Sequence, residues 1–276
     1  MTDLIRLTDR VVLSIEGPDA ETFLNGLLTN STLGMEEGQA RYGALLAPQG
    51  KIISDMIYQR TADGFLMDVP DQADETLLKR LTMFRLRAKA EITRREDLGV
   101  FAFDSQGFAD PRSPDLPLRS FKKPHRDDPT SAHSWRAARI MAGIPQQGHD
   151  FSANEVFPAD INMDINHGVD FKKGCFIGQE VVSRMKRRGT ARRRTLAFRF
   201  ENGAPHSDSP LKIGETAIGA LTSVEGDYAL ARVRLDRMAK AMDEFGDNFC
   251  ANGRLATLIK PDWMDDQIAA LTGGGE

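Results

Sequence analysis

The chain has 276 residues, of which 36 are basic and 40 acidic, giving a formal net charge of −4 at pH 7. Hydrophobic residues make up 41% and charged residues 28%, which is the balance of a folded globular protein rather than a disordered one. This charge excludes a general attraction to nucleic acid or to an anionic membrane, so any such binding must come from a local patch. No apolar run approaches the roughly 20 residues of a membrane-spanning helix, and no membrane partner is expected.

The two cysteines, Cys175 and Cys250, lie far apart in the sequence. A disulfide framework is therefore not expected, and this cysteine usage favours a reducing cytoplasm. The N-terminus shows no charged leader followed by a long apolar stretch, so we expect no secretion signal. Two cysteines and five scattered histidines have no spacing typical of a resident zinc or cluster site, so no metal site is expected.

The first part of the chain alternates between strand and helix patterns. Its helices have apolar residues at i, i+3 and i+4, and the strands of its hairpin alternate around an Asp-Gly turn. In chain order, the predicted elements are a strand over 11–15, a helix over 20–28, hairpin strands over 52–59 and 65–69, a helix over 71–87 and a strand over 100–103.

The middle of the chain is rich in proline. Five prolines between residues 110 and 130 predict an irregular surface loop or a hinge near 105–132, and a helix is expected over 134–141. The last part of the chain has short strand patterns separated by glycine-containing turns, which predict a small antiparallel barrel or sandwich. We therefore expect one region over residues 1–190, which the hinge would divide into two subdomains, and a second domain over 191–276.

The most unusual segment is residues 172–184, where two glycines bracket Cys175 and a helical pattern begins at Gly178. Cys175 would then lie just before a helix N-terminus and beside Lys172 and Lys173. Both features favour the thiolate, which is the nucleophilic and metal-binding form of cysteine.

The neighbouring carboxylate and the second cysteine need separate interpretations. Glu180, in the first helical turn, is either a carboxylate stabilised by the helix dipole or a base near the cysteine. An alternative for Cys175 is a small buried hydrophobe, with glycines that serve only a tight turn. Cys250 has no basic neighbours and is interpreted as structural.

Residues 184–194 hold seven basic side chains and no acidic one. Such a run suits phosphates, the carboxylates of a polyglutamyl tail, or an acidic partner. RNA is a further alternative, although no interleaved aromatic residues provide a stacking platform for bases. The remaining interpretation is a solvated linker between domains.

Residues 173–180, KGCFIGQE, resemble the signature of a family that contains the bacterial folate-binding YgfZ proteins and the mitochondrial IBA57-type assembly factors. This family is part of the glycine-cleavage T-protein superfamily. Segments at 41–51, 139–145, 158–171 and 219–223 are also similar to it. The resemblance therefore covers nearly the whole chain.

The resemblance implies an α+β fold, in which a T-protein-like ring of ferredoxin-like folate-binding units is joined to a C-terminal antiparallel β-barrel. It implies tetrahydrofolate or a derivative as the cofactor, near the centre of the ring. It also implies a role in assembly or repair of iron–sulfur proteins. The partners would be A-type iron–sulfur carrier proteins and four-iron client enzymes.

On this resemblance, Cys175 is expected to be a thiol nucleophile or a transient contact for metal or persulfide. Glu180 is the second candidate catalytic residue. Residues expected to shape the site or to contact the folate are Lys173, Gly174, Gln179, Arg184, Asn162, Arg139 and Asp55.

The aminomethyltransferase of glycine cleavage belongs to the same superfamily and provides the main alternative. Its hairpin strand carries two adjacent aspartates, of which the first is catalytic, whereas Ser54 precedes Asp55 here. Serine cannot supply an ionised carboxylate. The transferase also has a pterin-binding glutamate where Met141 stands, and it lacks the cysteine found here at 175. These differences favour the iron–sulfur role. A third hypothesis is a role in tRNA modification, which the basic run at residues 184–194 suggests.

Overall fold

The computed structural model describes residues 4–189 and 191–272, which form two open sheets, a closed barrel and six α-helices. The strands are β1 (Ile5–Leu7), β2 (Arg10–Glu16), β3 (Ala40–Leu46), β4 (Ile52–Arg60), β5 (Gly64–Pro70), β6 (Glu91–Arg94), β7 (Gly99–Ala102), β8 (Arg119–Lys122), β9 (Arg193–Phe200), β10 (Pro210–Ile213), β11 (Thr216–Glu225), β12 (Tyr228–Arg234), β13 (Phe249–Ala251) and β14 (Arg254–Ile259). The helices are α1 (Ala20–Asn25), α2 (Asp74–Arg85), α3 (His133–Met141), α4 (Gln179–Arg187), α5 (Leu235–Phe245) and α6 (Met264–Thr272), with a 3-10 turn at Pro158–Ile161.

The larger open sheet is antiparallel, with the strand order β3-β4-β5-β2-β6. One of its faces is covered by α1 and α2, whose Leu24, Leu77 and Leu81 pack in one core with Met56 of β4. This agrees with the helical stripes read from the sequence, because residues three and four apart share one face of a helix.

The opposite face of the same sheet is also covered. Ile57 of β4 and Tyr42 of β3 share a second core with Phe176 and with Val182 of α4. The interior strand β4 is thus buried on both faces, and the segment around the cysteine is packed directly on it. This packing places the chemistry-bearing segment on the sheet rather than at a chain end.

The smaller open sheet has the order β1-β7-β8 and packs against Trp135 of α3. Its third strand, β8, lies within the proline-rich segment and pairs with β7 from Gly99 opposite Lys122 to Ala102 opposite Arg119. The prediction of an irregular segment is therefore wrong for these four residues. The reason is that Arg119 is held by two buried carboxylates, and one of them, Asp68, is far away in sequence, so the local pattern does not reveal the pairing.

The C-terminal strands form a closed antiparallel barrel with the order β10-β11-β12-β9-β14-β13. Its core includes Phe198, Phe200 and Phe249, and closure removes exposed strand edges. The barrel alternative is therefore confirmed over the sandwich. Two helices in this part, α5 and α6, were not predicted; Met238 of α5 and Met264 of α6 are buried in the barrel core.

Candidate functional site

A cavity of about 780 Å³ lies where the N-terminal region meets the barrel. Its walls come from residues 109–115, from the end of α3 at 141–143, from 162–167 after the 3-10 turn, and from the barrel at 195–197 and 259–263. The volume lies within the range of roughly 300–1,000 Å³ typical of small-molecule sites. The lining mixes apolar side chains with a comparable share of polar and charged ones.

Asn162 is the one predicted cofactor-binding residue in the wall of this cavity. It has a left-handed backbone with φ of 60°, a conformation that asparagine tolerates well. Its Nδ2 donates to the Thr195 carbonyl at 2.6 Å, and its Oδ1 accepts from the Thr195 N–H at 3.4 Å. The side chain therefore also joins the 3-10 turn to β9 of the barrel.

Arg139 lies outside the cavity lining, in a fully buried position on α3. Its guanidinium donates to Asp150 Oδ2 at 2.7 Å and to Ser223 Oγ of β11 at 2.8 Å. These bonds fix α3 to the barrel and favour a structural role. A folate contact from Arg139 stays a prediction.

Asp55 is buried in β4, and it is also absent from the cavity lining. Its Oδ2 accepts from the Tyr42 hydroxyl at 2.9 Å, whereas its Oδ1 has no hydrogen-bond partner among the described residues. Burial raises the pKa of this carboxyl, and the nearby charges of Arg10 and Arg112 only partly oppose that effect. Asp55 is thus within electrostatic reach of Arg112, which does line the cavity.

Cys175 is exposed, on the loop that precedes α4. The interpretation of this cysteine as a small buried hydrophobe is therefore wrong. The side chains next to it are buried or half-buried instead: Phe176 packs under β4 and Ile177 against the core beneath α1. The thiol is thus exposed to solvent on a loop whose neighbouring side chains pack into the fold.

Lys173 provides one anchor of this loop. Its Nζ donates to the carbonyls of Asn25 and Leu28, each at 2.6 Å, and to that of Asn30 at 3.2 Å. The ammonium therefore satisfies carbonyl groups at and after the end of α1, where cations are favoured. Burial lowers the pKa of Lys173 to about 8. Its predicted effect on the thiol stays a prediction, and the structure adds an anchoring role.

The second anchor is a close contact between two glycine turns. Gly178 has φ of +80° and caps α4, and a Cβ there would lie 2.8 Å from the Ala47 carbonyl and 3.1 Å from Gly50 Cα. Gly50, at the turn between β3 and β4, is equally restricted, because a Cβ there would lie 2.9 Å from Val181 Cβ. Two segments that resembled the family separately are thus in direct contact.

Gly178→Ala should lower the free energy of unfolding by about 1–3 kcal/mol, because alanine meets both a positive φ and backbone atoms at too short a distance. Gly174→Ala is the matched control four residues earlier, where a Cβ would meet no heavy atom within 4 Å. Urea unfolding followed by circular dichroism measures both variants. Equal stability of the two would contradict the glycine contact.

The remaining predicted residues lie on α4 and on its preceding loop. Glu180 is exposed and pairs with Arg184 one turn later, at 2.5 Å. Gln179 begins the helix and is half-buried. No residue from 173 to 184 is among those that line the cavity. The structure therefore separates the predicted site into a cavity near Asn162 and an exposed cysteine loop.

Two family models match the chain: the GCVT N-terminal domain over residues 7–102 and the CAF17 C-terminal beta-barrel domain over 192–266. Aminomethyltransferase T of the glycine cleavage system from Bartonella henselae has a similar structure, with a TM-score of 0.73 at 16% identity. The match covers 96% of this chain and 86% of that protein. It confirms the predicted α+β fold with its C-terminal six-stranded barrel.

Curated proteins named iron-sulfur cluster assembly factor IBA57, or homologues of it, are similar to the chain. The Neurospora crassa homologue is 29% identical over 75% of this chain and 56% of its own length. The Pyricularia oryzae homologue is 27% identical over 97% and 86%, and the human protein 26% identical over 82% and 76%. The chain is thus similar to the IBA57/CAF17 family of the aminomethyltransferase-like GCVT superfamily. It spans little more than half the length of the Neurospora relative.

At the position where the resemblance expects the transferase's catalytic aspartate, the chain has a buried serine. Ser54 is fully buried, and its hydroxyl donates to the Asp55 backbone carbonyl at 3.2 Å. Met141, at the position of the transferase's pterin-binding glutamate, is half-exposed in the cavity wall. Of these two positions only Met141 lines the cavity, and neither side chain supplies a carboxylate.

Beside the cavity lies a buried ion network that sequence reasoning missed. Asp68 pairs with Arg10, whose Nε lies 2.5 Å from Oδ1, and with Arg119. Asp110 pairs with the same Arg119 at 2.8 Å and with Arg112 at 2.7 Å. Although burial raises it, the charges of Arg112 and Arg119 lower the pKa of Asp110 to about 2. The sequence did contain a signal for this network, because β2 and β5 each carry a charged residue within an otherwise apolar strand.

The described residues hold neither a cluster of metal ligands nor a membrane-spanning helix. No group of three or more His, Cys, Asp or Glu side chains is placed there to hold a metal ion. None of the described helices is both long enough and apolar enough to cross a bilayer.

Proposed function

We propose that this protein is a folate-dependent accessory factor for the assembly or repair of iron–sulfur proteins, and that Cys175 contacts the transferred metal, cluster or sulfur. The observation that carries the proposal is an exposed free thiol on a loop held by Lys173 and by the Gly178 contact. This thiol occurs in a family whose matched members are named iron-sulfur cluster assembly factors. Thiolates are the usual protein ligands of iron–sulfur clusters.

The two cysteines differ in the way that this role requires. Cys175 is exposed on a loop and lies four residues before the first residue of α4. Cys250 is half-buried in β13, where its backbone pairs with Lys212 and Leu255 of neighbouring barrel strands. A partner therefore reaches Cys175 without opening the fold, which makes Cys250 a suitable control.

The cavity fits a folate in size and in chemical character. Trp263 and Ile259 offer apolar faces to a ring. Lys260, whose pair with Asp265 is exposed to solvent, supplies a cation suited to the carboxylates of the glutamyl part. Arg112, by contrast, is already paired with the buried Asp110. Tetrahydrofolate would supply one-carbon chemistry when bound. The chain's own contribution would be to bind and orient it, with Met141 rather than a carboxylate at the wall, so the pterin would be held differently than in the transferase.

The aminomethyltransferase alternative gains no support from the site. Aminomethyl transfer lacks its carboxylate, because Ser54 is buried and bonded to the backbone. The partners we propose are A-type iron–sulfur carrier proteins and four-iron client enzymes. The cytoplasmic location predicted from cysteine usage stays a proposal, and the three relatives are named as mitochondrial proteins.

The test is the activity of a four-iron dehydratase in cells that lack the gene. We expect low activity, restored by the wild-type protein and by Cys250→Ser but not by Cys175→Ser, with all proteins at equal levels. Normal activity in the deletion cells would overturn the proposed function. Full rescue by Cys175→Ser would overturn the role of the cysteine alone.

The same cells test the folate part of the proposal. Ala142→Trp places a large side chain at the cavity wall and should impair both rescue and tetrahydrofolate binding, measured by calorimetry. Ala153→Trp, at an exposed residue away from the cavity lining, is the control. If Ala142→Trp binds tetrahydrofolate as tightly as the wild type does, the folate site lies elsewhere.

A further inference from the structure

A basic surface lies at the C-terminal end of α4, beside the cysteine loop. It consists of Lys172, Lys186, Arg187 and Arg188, which we call the α4 basic surface. All four side chains are exposed, and none forms an ion pair with a described residue. Among the described residues, Arg187 donates only to the Ser183 carbonyl of its own helix, at 3.4 Å. These charges are therefore available to a partner.

The α4 basic surface is close to the thiol. Lys186 Nζ lies 3.8 Å from the centre of the Phe171 ring, so the start of the cysteine loop contacts the last turn of α4. The helix has nine residues and is therefore about 13 Å long. A typical interface covers roughly 800 Å² on each partner, which is wide enough to include the basic surface and Cys175 together.

The acidic groups nearby are already engaged. Glu180 pairs with Arg184, and Asp164 pairs with the buried Arg194 at 2.6 Å. Asp170 Oδ1 accepts from the backbone N–H groups of residues 172 and 173, at 2.8 and 3.1 Å. Although the whole chain has a net charge of −4, this surface keeps a local positive charge. Such a local charge steers association with a surface of opposite sign.

We propose that the α4 basic surface docks an acidic face of the protein that exchanges metal, cluster or sulfur with Cys175. This inference rests on the proposed function and adds the binding surface to it. An acidic protein is favoured over RNA because Phe171, the aromatic ring in this surface, is only partly exposed and is covered by Lys186. Bases therefore find no stacking platform there.

The experiment measures binding of a cluster-loaded A-type carrier protein, by fluorescence titration at low and at physiological salt. Arg187→Glu combined with Arg188→Glu should weaken binding about tenfold or more at low salt, and the wild-type affinity should fall as salt rises. The control is Arg80→Glu combined with Arg87→Glu, which makes the same charge change at exposed, unpaired residues of α2 and its C-terminal loop. The control should bind within about twofold of the wild type.

Three outcomes would overturn the docking surface: no binding of the carrier by the wild-type protein, equal binding by the reversed variant, or an equal loss in the control. Binding of poly(U) RNA that the reversal abolishes, with carrier binding unchanged, would assign the surface to RNA instead. The proposed function fails separately, through normal dehydratase activity in the deletion cells. Cys175→Ser that binds the carrier normally but does not rescue would support both proposals.

Discussion

Asp68→Asn is expected to lower the free energy of unfolding by about 3–5 kcal/mol, the range found when one partner of a buried ion pair is removed. Asp68 is fully buried and is the carboxylate between Arg10 and Arg119, both of which are also buried. Asparagine keeps the shape of the side chain but leaves the Arg10 guanidinium without its paired carboxylate and Arg119 with Asp110 alone. Urea unfolding at neutral pH measures the loss.

The control for this substitution is Glu75→Gln on α2. Glu75 pairs with Lys79 at 3.5 Å, but both side chains are 79% exposed, and such surface pairs contribute little to stability. Its unfolding curve should match that of the wild type. If Asp68→Asn is as stable as Glu75→Gln, the buried network does not hold β2, β5 and β8 together.

This network also explains which parts of the fold the sequence could predict. The strand over 11–15, the hairpin and the barrel strands follow from alternation and from turn residues, and they are observed as β2, β4, β5, β9, β11 and β12. Strand β8 was missed because the partners that bury Arg119 include Asp68, 51 residues away. Local patterns carry no information on such a pairing.

The two missed helices have a different cause. Residues 235–245 place Leu235, Met238, Ala239 and Met242 at helical spacing, and a helix was predictable from them. The strand patterns and glycine-containing turns on either side of these residues made the helical spacing hard to recognise. The amphipathic pattern was present, and the interpretation of the whole region as strands was the error.

The candidate site shows the same division between local and distant information. The helix start at Gly178 and the exposed basic residues followed from the octapeptide and the basic run. The anchoring of Lys173 did not, because its acceptors are backbone carbonyls 143–148 residues away, which no side-chain pattern marks. The separation of Asn162 from the cysteine loop was likewise hidden, since only 11 residues lie between Asn162 and Gly174 and sequence proximity suggested one site.

Lys173→Met should release the cysteine loop and lower the free energy of unfolding by about 2–4 kcal/mol, because three carbonyls lose one shared donor group. The loss also reaches the cavity wall through Asn30, one of the three residues whose carbonyls Lys173 holds. The Asn30 side chain donates from Nδ2 to the carbonyl of His167, which lines the cavity, at 2.7 Å. Amide hydrogen exchange should therefore accelerate about tenfold or more across residues 170–178. The iron–sulfur rescue should fail, although Cys175 is still present.

The matched control is Lys172→Met, which removes the same charge one residue earlier. The Lys172 side chain is exposed, and the hydrogen bond it takes part in comes from its backbone N–H to Asp170. We expect its stability and its loop exchange to match the wild type. If the loop in Lys173→Met exchanges no faster than in Lys172→Met, the ammonium does not hold the loop. If exchange accelerates and rescue still succeeds, Cys175 works without a fixed loop, because a partner then orders the loop on binding.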